Sequence, residues 1–346
     1  MPTRPTIPRL LAGLIGFGAV VWLAAVDLVA AHGPTPIEAP SLSSIVVSWT
    51  FEALPTLGVV VAAGWWWWAV RRVNAAHPAN PVPLRRSVAF AAGLAAVAVA
   101  LLSGIDRYDT TLFSVHMIQH VLLTLVAAPL VALGAPITLA MRVASPATRR
   151  RWILPILHAR STRILAFPVV AWVLFAGVMW VSHFSPLFDA ALEDPLIHDL
   201  EHVLFLGSAL LFWWPAVALD PAPWRMPHPA RTLYVFLQMS QNTFLAVVLL
   251  NAGAVLYPHY ASLVLPWSPS PLGDQRLAAG IMWIAGDAIF ITAIFAIVAG
   301  WMRADARDTG RSDRRAAVAM ADIRVREHAL AERLARERED TGEAPG

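Results

Sequence analysis

The sequence predicts an all-α fold: a polytopic transmembrane helix bundle of seven or eight spans, followed by a cytoplasmic charged helical tail. Three observations predict it. Of the 346 residues, 58% are hydrophobic and only 14% charged, with a mean hydropathy of +0.59. That is more apolar surface than one soluble core hides. The apolar residues fall in blocks of about 20, the length a helix needs to cross a hydrocarbon layer of about 30 Å. All 26 basic residues are arginine, and they gather between alternate blocks.

The blocks run Leu10 to Ala31, Thr50 to Val70, Ser87 to Ser103, Thr111 to Leu133, Ile164 to Ser182, Pro195 to Val217, Thr232 to Leu250 and Ala279 to Trp301. The first reads in two ways. Arg4 and Arg9, an apolar core and the small residues Val29, Ala30 and Ala31 describe either a first span or a secretory signal peptide. Residues 1–31 are therefore a signal or a span, residues 32–301 the helical domain, and residues 302–346 the tail. If Arg4 and Arg9 hold the N-terminus inside, alternate crossing places Arg71, Arg72, Arg85, Arg86, Arg149, Arg150 and Arg151 in inner loops, and Arg107 and Arg276 outside. This obeys the positive-inside rule and leaves the C-terminus cytoplasmic. Trp65 to Trp68, just before Arg71, reads as an interfacial aromatic belt. The tail mixes Arg, Glu and Ala around the sparse apolar Ile323, Leu330 and Leu334, as a solvated helix does. The partners implied are a lipid bilayer and not nucleic acid, because no basic strip interleaved with aromatics is present.

The chain contains no cysteine. Thiol catalysis, disulfides and thiolate metal sites are thereby excluded, which leaves histidine, methionine and carboxylates as ligands. Two histidine pairs stand out, His116 with His120 and His198 with His202, each near the start of an apolar block. Residues four apart share a helix face, so each pair can present two imidazoles to one metal ion or haem. Asp194 and Pro195 form an N-cap and a first helical position, putting His198, Glu201 and His202 in the first two turns. Asp109 and Thr110 are capping candidates for the helix carrying His116. Both pairs map to the outer side, where His183 also falls. Ionisable groups inside a membrane span are functional by default, so the four histidines are the candidate metal ligands. Glu201, His183, Asp287 and Met282 are weaker candidates. A polar group finding water is the plainer reading of His183 and His259. Gln238, Gln241 and Asn242 share a face of the seventh block and suit interhelical hydrogen bonds.

Several stretches in order resemble the Bacillus-type CtaG family of cytochrome c oxidase assembly factors. They are His116-Met-Ile-Gln-His120 leading to Pro129 and Leu-Gly-Ala-Pro136, His198-Asp-Leu-Glu-His202 leading to Phe-Trp-Trp-Pro215, Leu-Tyr-Pro258, and Asp274-Gln275 before Gly280-Ile-Met-Trp283. The similarity covers roughly residues 49–301. It implies a plasma-membrane protein needed to form active cytochrome c oxidase by handling copper, with oxidase subunits or other copper-delivery proteins as partners. The four histidines fall on its motifs.

Three functions from different classes follow. The first is a copper-handling assembly factor, not an enzyme. The second is a haem protein with bis-histidine ligation. The third is an intramembrane zinc peptidase, since His198 to His202 formally matches H-x-x-E-H, two zinc ligands and a glutamate base.

Overall fold

The computed structural model describes residues 36–263 and 265–341. The described residues are helical with no strand among them. The first block of the sequence, Leu10 to Ala31, lies outside the described residues, so the choice between signal and span does too. The main helices are α1 (Leu42–Val47), α2 (Ala53–Ala76), α3 (Leu84–Leu102), α4 (Gly104–Asp109), α5 (Phe113–Val121), α6 (Ala128–Gly134), α7 (Pro136–Val143), α8 (Pro168–His183), α9 (Leu187–Glu193), α10 (Pro195–Val217), α11 (His228–Leu250), α12 (Pro258–Ser262) and α13 (Pro271–Thr341). Short helical turns between Pro146 and Leu165 bridge α7 and α8.

Among the described residues six stretches are long and apolar enough to cross a membrane, or seven when α8 and α9, bent by 70°, count as one. These seven correspond to the last seven blocks of the sequence. Their bounds differ at the ends: Phe113–Val143 runs past Leu133, and α11 begins at His228 rather than Thr232. The molecule divides into two compact units, residues 1–294 and 295–346. Residues 303–334 of the second unit are exposed almost throughout, and its ion pairs join neighbouring turns, as between Arg311 and Asp308 or His328 and Glu332.

Within the first unit α10 is central, packing against α6, α8, α9 and α11. The long stretch through α5 is not one regular helix. Residues Leu122–Ala127 form a π-helical turn between α5 and α6. Pro129 supplies the cause: it has no N–H to give the carbonyl of residue 125, and its ring crowds that carbonyl. The wider turn relieves the clash, with the N–H of Ala128 bonding the Leu123 carbonyl. Side chains take up part of the disturbed ladder. The Trp213 Nε1 donates to the Thr124 carbonyl (2.9 Å), and the Thr124 hydroxyl to the His120 carbonyl (2.6 Å). A second break falls at Ala135, whose φ of 59° is left-handed, just before Pro136 opens α7. Asp220, from the loop after α10, accepts from the backbone N–H groups of Ile137 and Thr138 there.

The Trp65–Trp68 run divides. Trp67 and Trp68 are exposed, as an interfacial belt requires, and the Arg71 guanidinium lies over the Trp67 ring. Trp66 instead turns inward and stacks on Phe90 at 3.9 Å between ring centroids, in a core with Ala69, Val73, Val82 and Leu139. Four successive helical residues spread around the whole helix, so one of them must face the bundle.

Candidate metal centre

Helix α10 starts as the sequence indicates. Asp194 accepts from the N–H groups of Leu196 (2.8 Å) and Ile197 (3.3 Å), with Pro195 at the first helical position. This fixes His198, Glu201 and His202 on its first turns, all buried. Helix α5 starts differently. Leu112 is its N-cap and offers no side-chain bond; instead Asp274, from the start of α13, accepts from the Ser114 N–H at 3.3 Å. Asp109 and Thr110 do not cap α5, because Asp109 ends the separate helix α4 three residues earlier. That helix exists because the Ser103 hydroxyl closes α3 and accepts from the Ile105 N–H, starting a new turn.

The two histidine pairs meet. Ring centroids are 4.2 Å apart within each pair, 5.5 Å from His116 to His198, and 6.4 Å from His120 to His202. His183, the last residue of α8, lies 6.4 Å from His120. It is buried rather than wetted, and its Nδ1 donates to the Met179 carbonyl at 2.7 Å. The Nε2 lone pair is thereby left buried, with no hydrogen-bond partner in the protein.

The carboxylates cross over between the helices. Glu201 lies 3.8 Å from His116 Nε2 and 4.0 Å from His120 Nε2. Asp109 lies 3.8 Å from His198 Nε2. Two groups result whose ligand atoms all sit within 4.8 Å of one another: His116, His120 and Glu201, and Asp109, His198 and His202. Both ring nitrogens of His116 and of His120, both Glu201 oxygens and the Nε2 of His183 are buried with no hydrogen-bond partner in the protein. A buried polar atom left so costs about 1–3 kcal/mol. Seven such atoms on four neighbouring side chains call for a partner that these side chains do not supply, such as water or an ion.

Gln119 completes the arrangement. Its Nε2 donates to the Ala100 carbonyl at 3.1 Å, and to Asp106 at 3.4 Å, which orients the amide and turns Oε1 to His202 Nε2 at 3.0 Å. An amide oxygen only accepts, so His202 Nε2 carries the proton and its lone pair is on Nδ1. Phe205 and Phe188 close the sides, 4.0 Å from His120 and 4.9 Å from His116. The Tyr260 hydroxyl donates to the Asp109 carbonyl (2.5 Å), and His259 Nε2 to that of Thr110 (2.9 Å). His259 thus braces the loop before α5 and takes no place in the cluster.

Asp106, Asp109 and Glu52 form an acidic margin beside the histidines. Burial, with Asp109, Glu52 and Asp199 nearby, pushes Asp106 up to about 10. Burial also raises Asp109 well above the carboxylate range. Burial and the neighbouring Asp199 push Glu52 up to about 7.

The weaker candidate Asp287 joins neither group. The Thr243 hydroxyl is 3.0 Å from both Asp287 oxygens. Asn242 Nδ2 donates to the Met282 carbonyl at 3.1 Å, the interhelical bond expected of that face. Gln238, also on that face, reaches the Met179 sulfur at 3.9 Å. Met282 is buried. Sequence reasoning missed Asp109 and Gln119 as members of the site. Gln119, inside the His116–His120 motif and next to a ligand candidate, carried a signal; Asp109 carried none beyond its charge.

Fold and site together define a multi-span membrane protein with a buried histidine–carboxylate centre. Residues 64–304 match the family described as cytochrome c oxidase caa3 assembly factor (Caa3_CtaG), and the chain belongs to that family. It is also similar to uncharacterised proteins of mycobacteria. Mb0105 of Mycobacterium bovis and MT0111 of Mycobacterium tuberculosis are each 33% identical over 295 residues, and ML1998 of Mycobacterium leprae is 32% identical over 292. In each case 82% of this chain is covered, and the chain spans only 44% of the relative. No solved structure matches it.

Proposed function

We propose that the chain serves cytochrome c oxidase assembly by binding copper as cargo through its paired histidines and passing it to oxidase subunits or to another copper-delivery protein. The arginine pattern supports a plasma-membrane location with this centre toward the outer face and the tail in the cytoplasm. The observation that carries the reading is the cluster of buried imidazole nitrogens and Glu201 oxygens without hydrogen-bond partners in the protein, on the motifs shared with the family. The two groups offer imidazole nitrogens and carboxylate oxygens, donors that suit Cu(II) or Zn(II).

The test is replacement of His116 and His120, or of His198 and His202, by alanine in a strain whose oxidase depends on this protein. Each double variant is expected to stay in the membrane and to abolish oxidase maturation, read as oxidase activity and bound copper. Normal oxidase in both variants overturns the reading. A Soret band on the purified protein assigns the histidines to haem instead.

A further inference from the structure

We propose that the centre holds two copper ions side by side, one on His116, His120 and Glu201 and the other on Asp109, His198 and His202. The inference rests on the copper reading above and gives the site its nuclearity and a ligand, Asp109, supplied from outside the two paired helices.

Metal–nitrogen and metal–oxygen bonds of about 2.0–2.2 Å keep the donors of one ion within about 4.4 Å of one another. Each group already lies within 4.8 Å, so a few tenths of an ångström of contraction closes either around an ion. The six donors taken together do not make one such sphere. Their ligand atoms fall into two separate groups at that spacing, and the rings facing across the helices, His116 with His198 and His120 with His202, have centroids 5.5 Å and 6.4 Å apart. The carboxylates are distributed to match, one to each pair. Glu201 leaves the pair on its own helix and faces the pair on α5, at 3.8 and 4.0 Å. Asp109 comes from α4 to take the place beside His198, at 3.8 Å. Each ion would therefore have two neutral imidazoles and one carboxylate, and each set draws on two helices. Gln119 acts as a positioning residue for the second set alone. It holds His202 Nε2–H and so presents Nδ1 to the ion.

The experiment titrates the purified full-length chain in detergent with Cu(II) and measures bound copper by elemental analysis, with electron paramagnetic resonance on the same samples. Two copper ions per chain are expected, with a signal weaker than two isolated Cu(II) ions give, because neighbouring spins couple. His116→Ala with His120→Ala, and separately Asp109→Asn with His198→Ala, should each reduce the content from two to one and restore an uncoupled signal. Gln119→Leu should weaken one of the two sites only. One copper per unmodified chain overturns the two-ion arrangement, and this measurement decides it even if a variant fails to fold. No copper on the unmodified chain overturns the copper reading itself.

Discussion

Glu201 stands between His198 and His202 in the sequence, yet its carboxylate faces His116 and His120. In an H-x-x-E-H hydrolase the glutamate acts on water bound by the metal of its own two histidines. Here it points to the neighbouring pair, as a ligand would. Glu201→Gln is therefore expected to lower copper affinity about ten- to hundred-fold and to leave an oxidase defect that added copper corrects. A complete defect that copper does not relieve, with full metal content, would instead identify Glu201 as a catalytic base. The histidine pairs were legible because a spacing of four on a helix says which way side chains point. Asp109 was not, because its approach to His198 depends on the short helix α4 and on α10, nearly 90 residues later. Read locally, it was merely an acid before a helix.

Among the elements, the stretch through α5, the π-turn and α6 determines where His120 sits. Pro129 was visible in the sequence, but the wide turn it induces depends on partners such as Trp213, which donates from another helix. Glycine at 93 lets α3 approach the same stretch. A Cβ there would lie 2.9 Å from the Val131 nitrogen and 3.1 Å from the Ala127 oxygen, both backbone atoms that cannot swing aside. Gly93→Leu should therefore destabilise the bundle by about 1–3 kcal/mol, lowering the melting temperature in detergent. Gly58→Leu, at a position with nothing within 4 Å, is the control and should leave it nearly unchanged. Hydropathy made the spans legible, since each must be apolar over about 20 residues. The 70° bend between α8 and α9 and the left-handed residue at Ala135 fall beside Pro186 and Pro136, which mark a break but not its angle or hand.

At the scale of the whole molecule, net stability responds to the acidic margin. The ordinary value of Glu52 is 4.5 and in the fold it is about 7, so the folded state holds the proton more tightly than the unfolded one. Its contribution is fully present below about pH 4.5 and is lost as pH rises through about 7. Across that window the unmodified chain should lose stability relative to the Glu52→Gln variant, read as thermal unfolding in detergent. Glu52→Gln should flatten the fall by about 1 kcal/mol, after allowance for the partial exposure of the side chain; an unchanged profile would show that Glu52 does not contribute. The arginine pattern gives a further expectation at this scale: reporters fused in the loop of residues 142–163 should be active on the cytoplasmic side, and those in residues 252–263 on the outer side. The bond from Ser114 to Asp274 has a temporal side as well. The amide at the start of α5 finds its acceptor 160 residues downstream, on α13, which is made after the other helices described. Until α13 is made, the helix that carries His116 and His120 is thus without this bond, and the nascent chain secures that end of the histidine cluster only when α13 arrives.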